Sequence, residues 1–177
     1  MSPPSLQQLL ERNRAYTPTH TPSPTIAEMA ASGALETRVL IVTCVDPRCE
    51  PERFLSIAPW EALAIRAIGG RIEPQIPSIL ALDTLMNFQE LVIIHHTDCG
   101  GTYFTKDGVA GVLKERVPDS SDAIDKLKFG DFSDIAGSVK EDLAVWREYP
   151  FTSKQLRDNS YGFVFDIKTG ELTKVDP

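Results

Sequence analysis

Two short segments hold most of the side chains that could do chemistry. Cys44-Val45-Asp46-Pro47-Arg48 places a thiol, a carboxylate and a guanidinium at alternate positions. His95-His96-Thr97-Asp98-Cys99 places two imidazoles just ahead of a second thiol. Two thiolates and one imidazole, brought together, form a zinc site of the catalytic kind, with a fourth position left for water or a weak ligand. A structural zinc site more often has four strong protein ligands, and here only Cys49 or His95 could supply the fourth. Taken singly, Cys44 reads as a small buried hydrophobe and His96 as a hydrogen-bonded structural histidine. Their combination with Cys99, three residues after His96, is what raises the metal reading. His95 is the rival of His96, and the two point to opposite faces if the strand runs through them. Cys49 is the rival thiol, but it falls at the helix expected from Pro51 and is read as structural.

Asp46 and Arg48 lie within reach of each other across a turn. As a surface ion pair they would contribute little to stability. Beside a metal, the guanidinium would keep Asp46 ionised and fix its oxygens. The carboxylate could then accept a hydrogen bond from zinc-bound hydroxide and aim it at an electrophile.

The elements that must position these residues are strand-like. Arg38–Thr43, Ala62–Ile65 and Leu91–Ile94 are continuous apolar runs, the pattern of strands buried on both faces of a parallel sheet. Helical spacing of Ile79, Leu82, Leu85 and Met86 predicts a helix over 79–88, with Ser78 as N-cap. Further helices are predicted over 108–117 and 138–148, the latter opened by a Ser138/Glu141 capping box. Pro118–Asp134 reads as a polar loop. Two alternating runs, 161–166 and 171–175, flank a turn at Gly170 and predict a hairpin at the sheet edge. The fold class is α/β: a central, mainly parallel sheet flanked by helices, with a C-terminal edge hairpin and an N-terminal helical arm. The arm spans 1–34. Helices are expected at 5–14 and 25–31, joined by a linker containing Pro18, Pro22 and Pro24. The main domain spans 35–177. The first run ends at Cys44 and the third at His95-His96, and open parallel sheets carry their sites at the carboxyl ends of strands.

Composition narrows the partners. The 177 residues carry 18 Lys plus Arg against 25 Asp plus Glu, a net charge of −7. That balance argues against nucleic acid, whose phosphates need a basic face. No apolar run approaches the ~18 residues of a membrane span. The first residues lack the basic and apolar regions of a secretory signal. Three cysteines, without such a signal, point to reduced thiols and a cytoplasmic location.

The two motifs, Cys44-X-Asp46-X-Arg48 and His96-X-X-Cys99, resemble the signatures of the β-class carbonic anhydrases, in particular their small, minimal branch. Arg66-Ala67-Ile68-Gly69 is similar to that family's Arg-Asn-Ala-Gly segment, and the 162–166 strand fits its ending. The likeness runs from about Arg38 to Val175. Three positions depart from it. Pro47 replaces the common Ser, Ala67 replaces Asn, and Gly101 stands where the small branch often has Met.

The resemblance implies zinc held by Cys44, His96 and Cys99, with Asp46 as a fourth ligand in a closed form and Arg48 as the residue that releases it. It implies a carbonate dehydratase, a zinc lyase that converts carbon dioxide reversibly to bicarbonate and a proton by zinc-bound hydroxide. It also implies a homodimer or larger homo-oligomer in which N-terminal helices embrace the neighbour. Two alternatives share the residues. One is hydrolysis of carbonyl sulfide or carbon disulfide on the same zinc. The other is a non-catalytic zinc or redox-sensing domain using Cys44, Cys49 and Cys99. A nucleotide-binding reading is weaker, because Gly69-Gly70 and Gly100-Gly101 match no phosphate-binding glycine pattern.

Overall fold

The computed structural model describes residues 2–33 and 37–176. The chain divides into two compact units, 1–35 and 36–177. In the first, helix α1 (Leu6–Tyr16) starts at a Ser5/Gln8 capping box and leaves Leu6, Leu9 and Leu10 exposed. Helix α2 (Ile26–Ser32) starts at a Thr25/Glu28 capping box and stops at Gly33, whose left-handed backbone (φ 71°) suits glycine.

The second unit is built on five strands. In chain order its elements are β1 (Val39–Cys44), α3 (Pro51–Phe54), β2 (Ala62–Ala67), α4 (Ile76–Met86), β3 (Glu90–His96), α5 (Lys106–Arg116), α6 (Ser121–Ile124), α7 (Ile135–Glu148), α8 (Lys154–Asp158), β4 (Ser160–Phe165) and β5 (Leu172–Val175). The sheet order is β2-β1-β3-β4-β5. All neighbours are parallel except β4 and β5, which form the terminal antiparallel hairpin. From β1 the chain steps outward to β2, then crosses back over β1 to β3. The winding therefore reverses between β1 and β3, and the crevice outside their carboxyl ends is where such sheets place ligands.

Each face of the sheet is packed. Leu40, Val42, Leu91 and Ile93 meet α4 through Ile76 and Ile79 and α7 through Val139, Leu143 and Trp146. Helix α7 lies so close to β4 that a Cβ at Gly162 would stand 2.4 Å from Val139 Cγ1. Ile41, Ile94, Cys49 and Phe165 form the second cluster, which includes Cys44 and Cys99.

The three apolar runs are strands, as their patterns predict; β1 runs one residue later than expected, over 39–44 rather than 38–43, and β2 and β3 are longer by two and three residues. Two helix starts differ from expectation. Helix α4 begins at Ile76, with Gln75 at the N-cap position but making no side-chain capping bond, so Ser78 lies inside it; Pro77 is accepted in the first turn because no N–H is required there. Helix α7 begins at Ile135 after Asp134, so Ser138 caps nothing and is buried. The 118–134 segment holds a single turn of 3₁₀ helix and the short α6, and α8, opened by Ser153 as N-cap, falls outside the predicted helices. Among the described residues, no helix is long and apolar enough to cross a membrane.

Candidate metal centre

Strand β1 ends on Cys44, strand β3 ends on His96, and Cys99 follows one turn later. Their donor atoms all lie within 4.8 Å of one another, and all three residues are buried. The Cys44 and Cys99 sulfurs are 3.8 Å apart. Two sulfurs each about 2.3 Å from one tetrahedral ion should stand about 3.8 Å apart, so the spacing fits zinc. His96 Nδ1 lies 2.9 Å from the Thr97 carbonyl oxygen. A carbonyl can only accept, so Nδ1 carries the proton and Nε2 is left with its lone pair. That Nε2 is buried without a hydrogen-bond partner, as a metal-donating nitrogen would be. The donor set and its geometry therefore fit a metal ion.

The two thiols lie within hydrogen-bonding reach of each other. Donation from Cys99, opposed by burial and aided by His96, holds Cys44 down at about 4. Cys99 is pushed above the usual thiol range, first by that same bond and then by burial. Burial lowers His96, but its contacts with Cys44, the Thr97 carbonyl and Asp46 outweigh this and leave it raised.

Asp46 flanks the donors, with Oδ2 3.8 Å from His96 Nε2. Its position comes from a tight turn. Cys49 N–H donates to Asp46 O (2.9 Å), closing a four-residue turn whose second position is Pro47. Proline's fixed φ suits that place, which explains why it is accepted where the family usually has serine. The Asp46 carboxylate accepts from the Arg48 backbone N–H (2.8 Å), an Asx turn, and from Arg48 Nε (3.0 Å) and Nη2 (2.7 Å). Chiefly through the Arg48 side chain, Asp46 is lowered to about 2. Arg66 fastens the turn from below, donating to the carbonyls of Cys44 (3.2 Å) and Asp46 (2.7 Å).

Sequence reasoning missed two residues here. Arg48 also donates to Asp98 Oδ2 (2.7 Å) and to the Asp98 carbonyl (2.9 Å). Tyr103 donates to Asp98 Oδ1 (2.8 Å). The available signal was a charged residue inside the second motif, directly before a metal-capable cysteine.

Cys49 stays out of the donor set. Its sulfur lies 3.2 Å from Thr43 Oγ1, and burial pushes its thiol up. His95 turns to the other face. Its Nδ1 is 2.8 Å from Ser138 Oγ, and its Nε2 is 3.2 Å from Asp142 Oδ2 without the alignment of a hydrogen bond. Phe132 stacks on the His95 ring at 5.6 Å, with the Arg71 guanidinium 5.7 Å from the Phe132 centroid. Phe132 also accounts for Gly101: a Cβ there would meet its Cε1 at 2.7 Å. Beside Ala67, at the end of β2, lies a mostly apolar cavity of about 490 Å³, lined also by Ile68, Phe104, Val109 and Phe129.

Residues 39–172 match the family model described as carbonic anhydrase. The chain is similar to β-carbonic anhydrase 1 of Mycobacterium tuberculosis, 31% identical over 140 residues, covering 78% of this chain and 82% of the relative. A carbon disulfide hydrolase of Saccharolobus solfataricus is 27% identical over 160 residues, covering 77% of this chain and 76% of that one. The solved carbonic anhydrase of Glaciozyma antarctica superposes with a TM-score of 0.78 at 29% identity, covering 97% and 98% of the two chains. With a family model spanning most of the sheet, and relatives matched along most of their length, the chain belongs to the β-class carbonic anhydrases, a family of lyases.

Proposed function

We propose that this protein hydrates carbon dioxide reversibly to bicarbonate and a proton, with zinc held by Cys44, His96 and Cys99. The observation that carries the reading is the free, buried Nε2 of His96, facing two thiols at zinc spacing with an ion-paired carboxylate beside them. Zinc, when bound, supplies hydroxide at neutral pH by lowering the pKa of water to ~7. The protein's own groups supply the orientation. Asp46 is ionised across the neutral range and can only accept, so it directs a donor hydrogen at its edge of the site. Arg48 holds both carboxylate oxygens, so that acceptor does not wander.

The test is stopped-flow carbon dioxide hydration on protein of measured zinc content. Hydration well above the buffer blank, at about one zinc per chain, is the expected result. Full zinc without hydration would overturn the substrate.

A second reading, hydrolysis of carbonyl sulfide or carbon disulfide, is supported by the likeness to a carbon disulfide hydrolase. Parallel assays on these gases separate the two. The oriented Asp46–Arg48 pair favours either enzyme over a redox sensor, which has no use for it.

The proposal extends to assembly and location. The 1–34 arm, with Leu6, Leu9 and Leu10 exposed, embraces a second copy of the chain in a homodimer or larger homo-oligomer. Three free cysteines suit a reducing compartment such as the cytoplasm.

A further inference from the structure

We propose that Asp98 is a positioning residue: braced by Tyr103, it grips Arg48 from the side opposite Asp46 and so decides where the Asp46 carboxylate stands. The inference rests on the zinc-dependent reading above and adds a residue to it.

Arg48 lies between two carboxylates and uses all three guanidinium nitrogens. Nε and Nη2 face Asp46 at 3.0 and 2.7 Å. Nη1 and Nη2 face Asp98, the first on Oδ2 at 2.7 Å and the second on the main-chain oxygen at 2.9 Å. Asp98 is itself fixed, because Tyr103 donates to its remaining oxygen at 2.8 Å. Its backbone is left-handed (φ 54°), a conformation in which Asp and Asn are enriched among non-glycine residues. Through this bend one residue offers Arg48 both its carbonyl and its carboxylate. The next residue, Cys99, meanwhile holds its sulfur 3.8 Å from that of Cys44. Asp98 thus couples the loop that carries a metal donor to the turn that carries the dyad.

Ordinary surface pairing does not account for this arrangement. The Arg48 and Asp98 side chains are 46% and 52% exposed, so their pair adds little to folding. What the bonds do provide is fixation, since a guanidinium held along two edges cannot follow its carboxylate. The restriction matters because Asp46 Oδ2 is only 3.8 Å from the free Nε2 of His96. A modest rotation would carry Asp46 into the donor set. With Arg48 anchored to Asp98, Asp46 remains an acceptor beside the donors; with Arg48 loose, it becomes a fourth donor and blocks the open position.

The experiment uses the full chain loaded either with zinc or with cobalt(II), whose visible spectrum reports the fourth ligand. Asp98→Gly keeps the left-handed backbone and removes the grip. Asp98→Asn keeps one acceptor and the bend. Both should retain wild-type metal content. Asp98→Gly should shift the cobalt spectrum and lower kcat on the order of 10–100-fold with little change in KM. Asp98→Asn should fall between it and wild type, and Tyr103→Phe should lose less than either. In an Asp46→Ala background, Asp98→Gly should leave the cobalt spectrum unmoved, because no carboxylate remains to swing in.

An unchanged spectrum in Asp98→Gly overturns the proposal. So does a spectral shift that persists without Asp46, or loss of metal from both Asp98 variants, which would mark Asp98 as a support for the Cys99 loop alone. If wild-type protein binds metal but hydrates no carbon dioxide, the substrate reading fails, while the cobalt comparison still decides the role of Asp98.

Discussion

Two adjacent histidines at the end of β3 have opposite surroundings. His96 has one nitrogen tied to a carbonyl and the other bare, facing thiols. His95, one residue earlier, has a side-chain group against each nitrogen: the Ser138 hydroxyl and the Asp142 carboxylate. Asp142 in turn contacts Arg71 at 3.2 Å and accepts from the Ile72 N–H at 3.2 Å. Both imidazoles are fully buried. Burial, and an Nε2 without a hydrogen bond, are therefore common to both rings; what separates them is what that nitrogen faces, a carboxylate at 3.2 Å for His95 and two thiols for His96. The pleat assigns the roles, because alternate residues face opposite sides, and only one side has Cys44 and Cys99.

The largest expected effect separates the two rings directly. His96→Ala removes a donor and should cost more metal affinity than the about 10–100-fold typical of outer partners. His95→Gln should keep its metal, because no donor is lost. Metal content by mass spectrometry after desalting checks both. Equal retention in the two variants, or greater loss in His95→Gln, would reverse the assignment.

The same contrast shows what the residue string carries and what it does not. Cys44, Asp46 and Arg48 sit within one turn, and His96 and Cys99 within another, so their roles are written in local spacing. The parallel runs are equally plain, since strands buried on both faces are apolar throughout. The surroundings of His95 are long-range. Ser138 and Asp142 come from α7 and Arg71 from the loop after β2, and no spacing rule links them to β3. Ser138 even misleads: Ser138-X-X-Glu141 has the form of a capping box, yet the helix starts a turn earlier. Its hydroxyl then bonds the Ile135 carbonyl and meets His95, while Glu141 meets Arg71. Asp98 was missed for a related reason. Its carboxylate reaches Arg48 only because the backbone there turns left-handed, a conformation the residue type permits but does not announce.

If the His95 face is a structural support, breaking it should cost stability rather than metal. Asp142→Ala removes a fully buried carboxylate that faces Arg71, His95 and a backbone N–H. Stripping one partner from a buried charged cluster costs about 3–5 kcal/mol. A urea titration of metal-loaded protein should show that loss, with metal content unchanged before unfolding. A cost below about 1 kcal/mol would mean that the cluster contributes little.

The smallest effect tests how the open face stores its protons. Donors must shed protons to bind metal, so affinity rises with pH by one decade per unit for each proton released. Two independent thiols near the usual 8.5 would both be protonated at pH 7 and give a slope of two. Here Cys44 is held at about 4 by its bond from Cys99, so it is already a thiolate, and only the raised Cys99 has a proton to lose. The slope around pH 8 should therefore be one. On the acid side His96, raised above its ordinary value, takes up a proton that metal must also displace, and the slope should steepen toward two. Lowering the pH from 8 to 7 should thus cost at least about tenfold in affinity, measured by competition with a chelator of known proton dependence. Two independent thiols near 8.5 would release about 1.5 protons at pH 8, so a slope clearly above one there would mean that the thiols do not share a proton, and the short sulfur–sulfur contact would then owe nothing to a bond between a thiol and a thiolate.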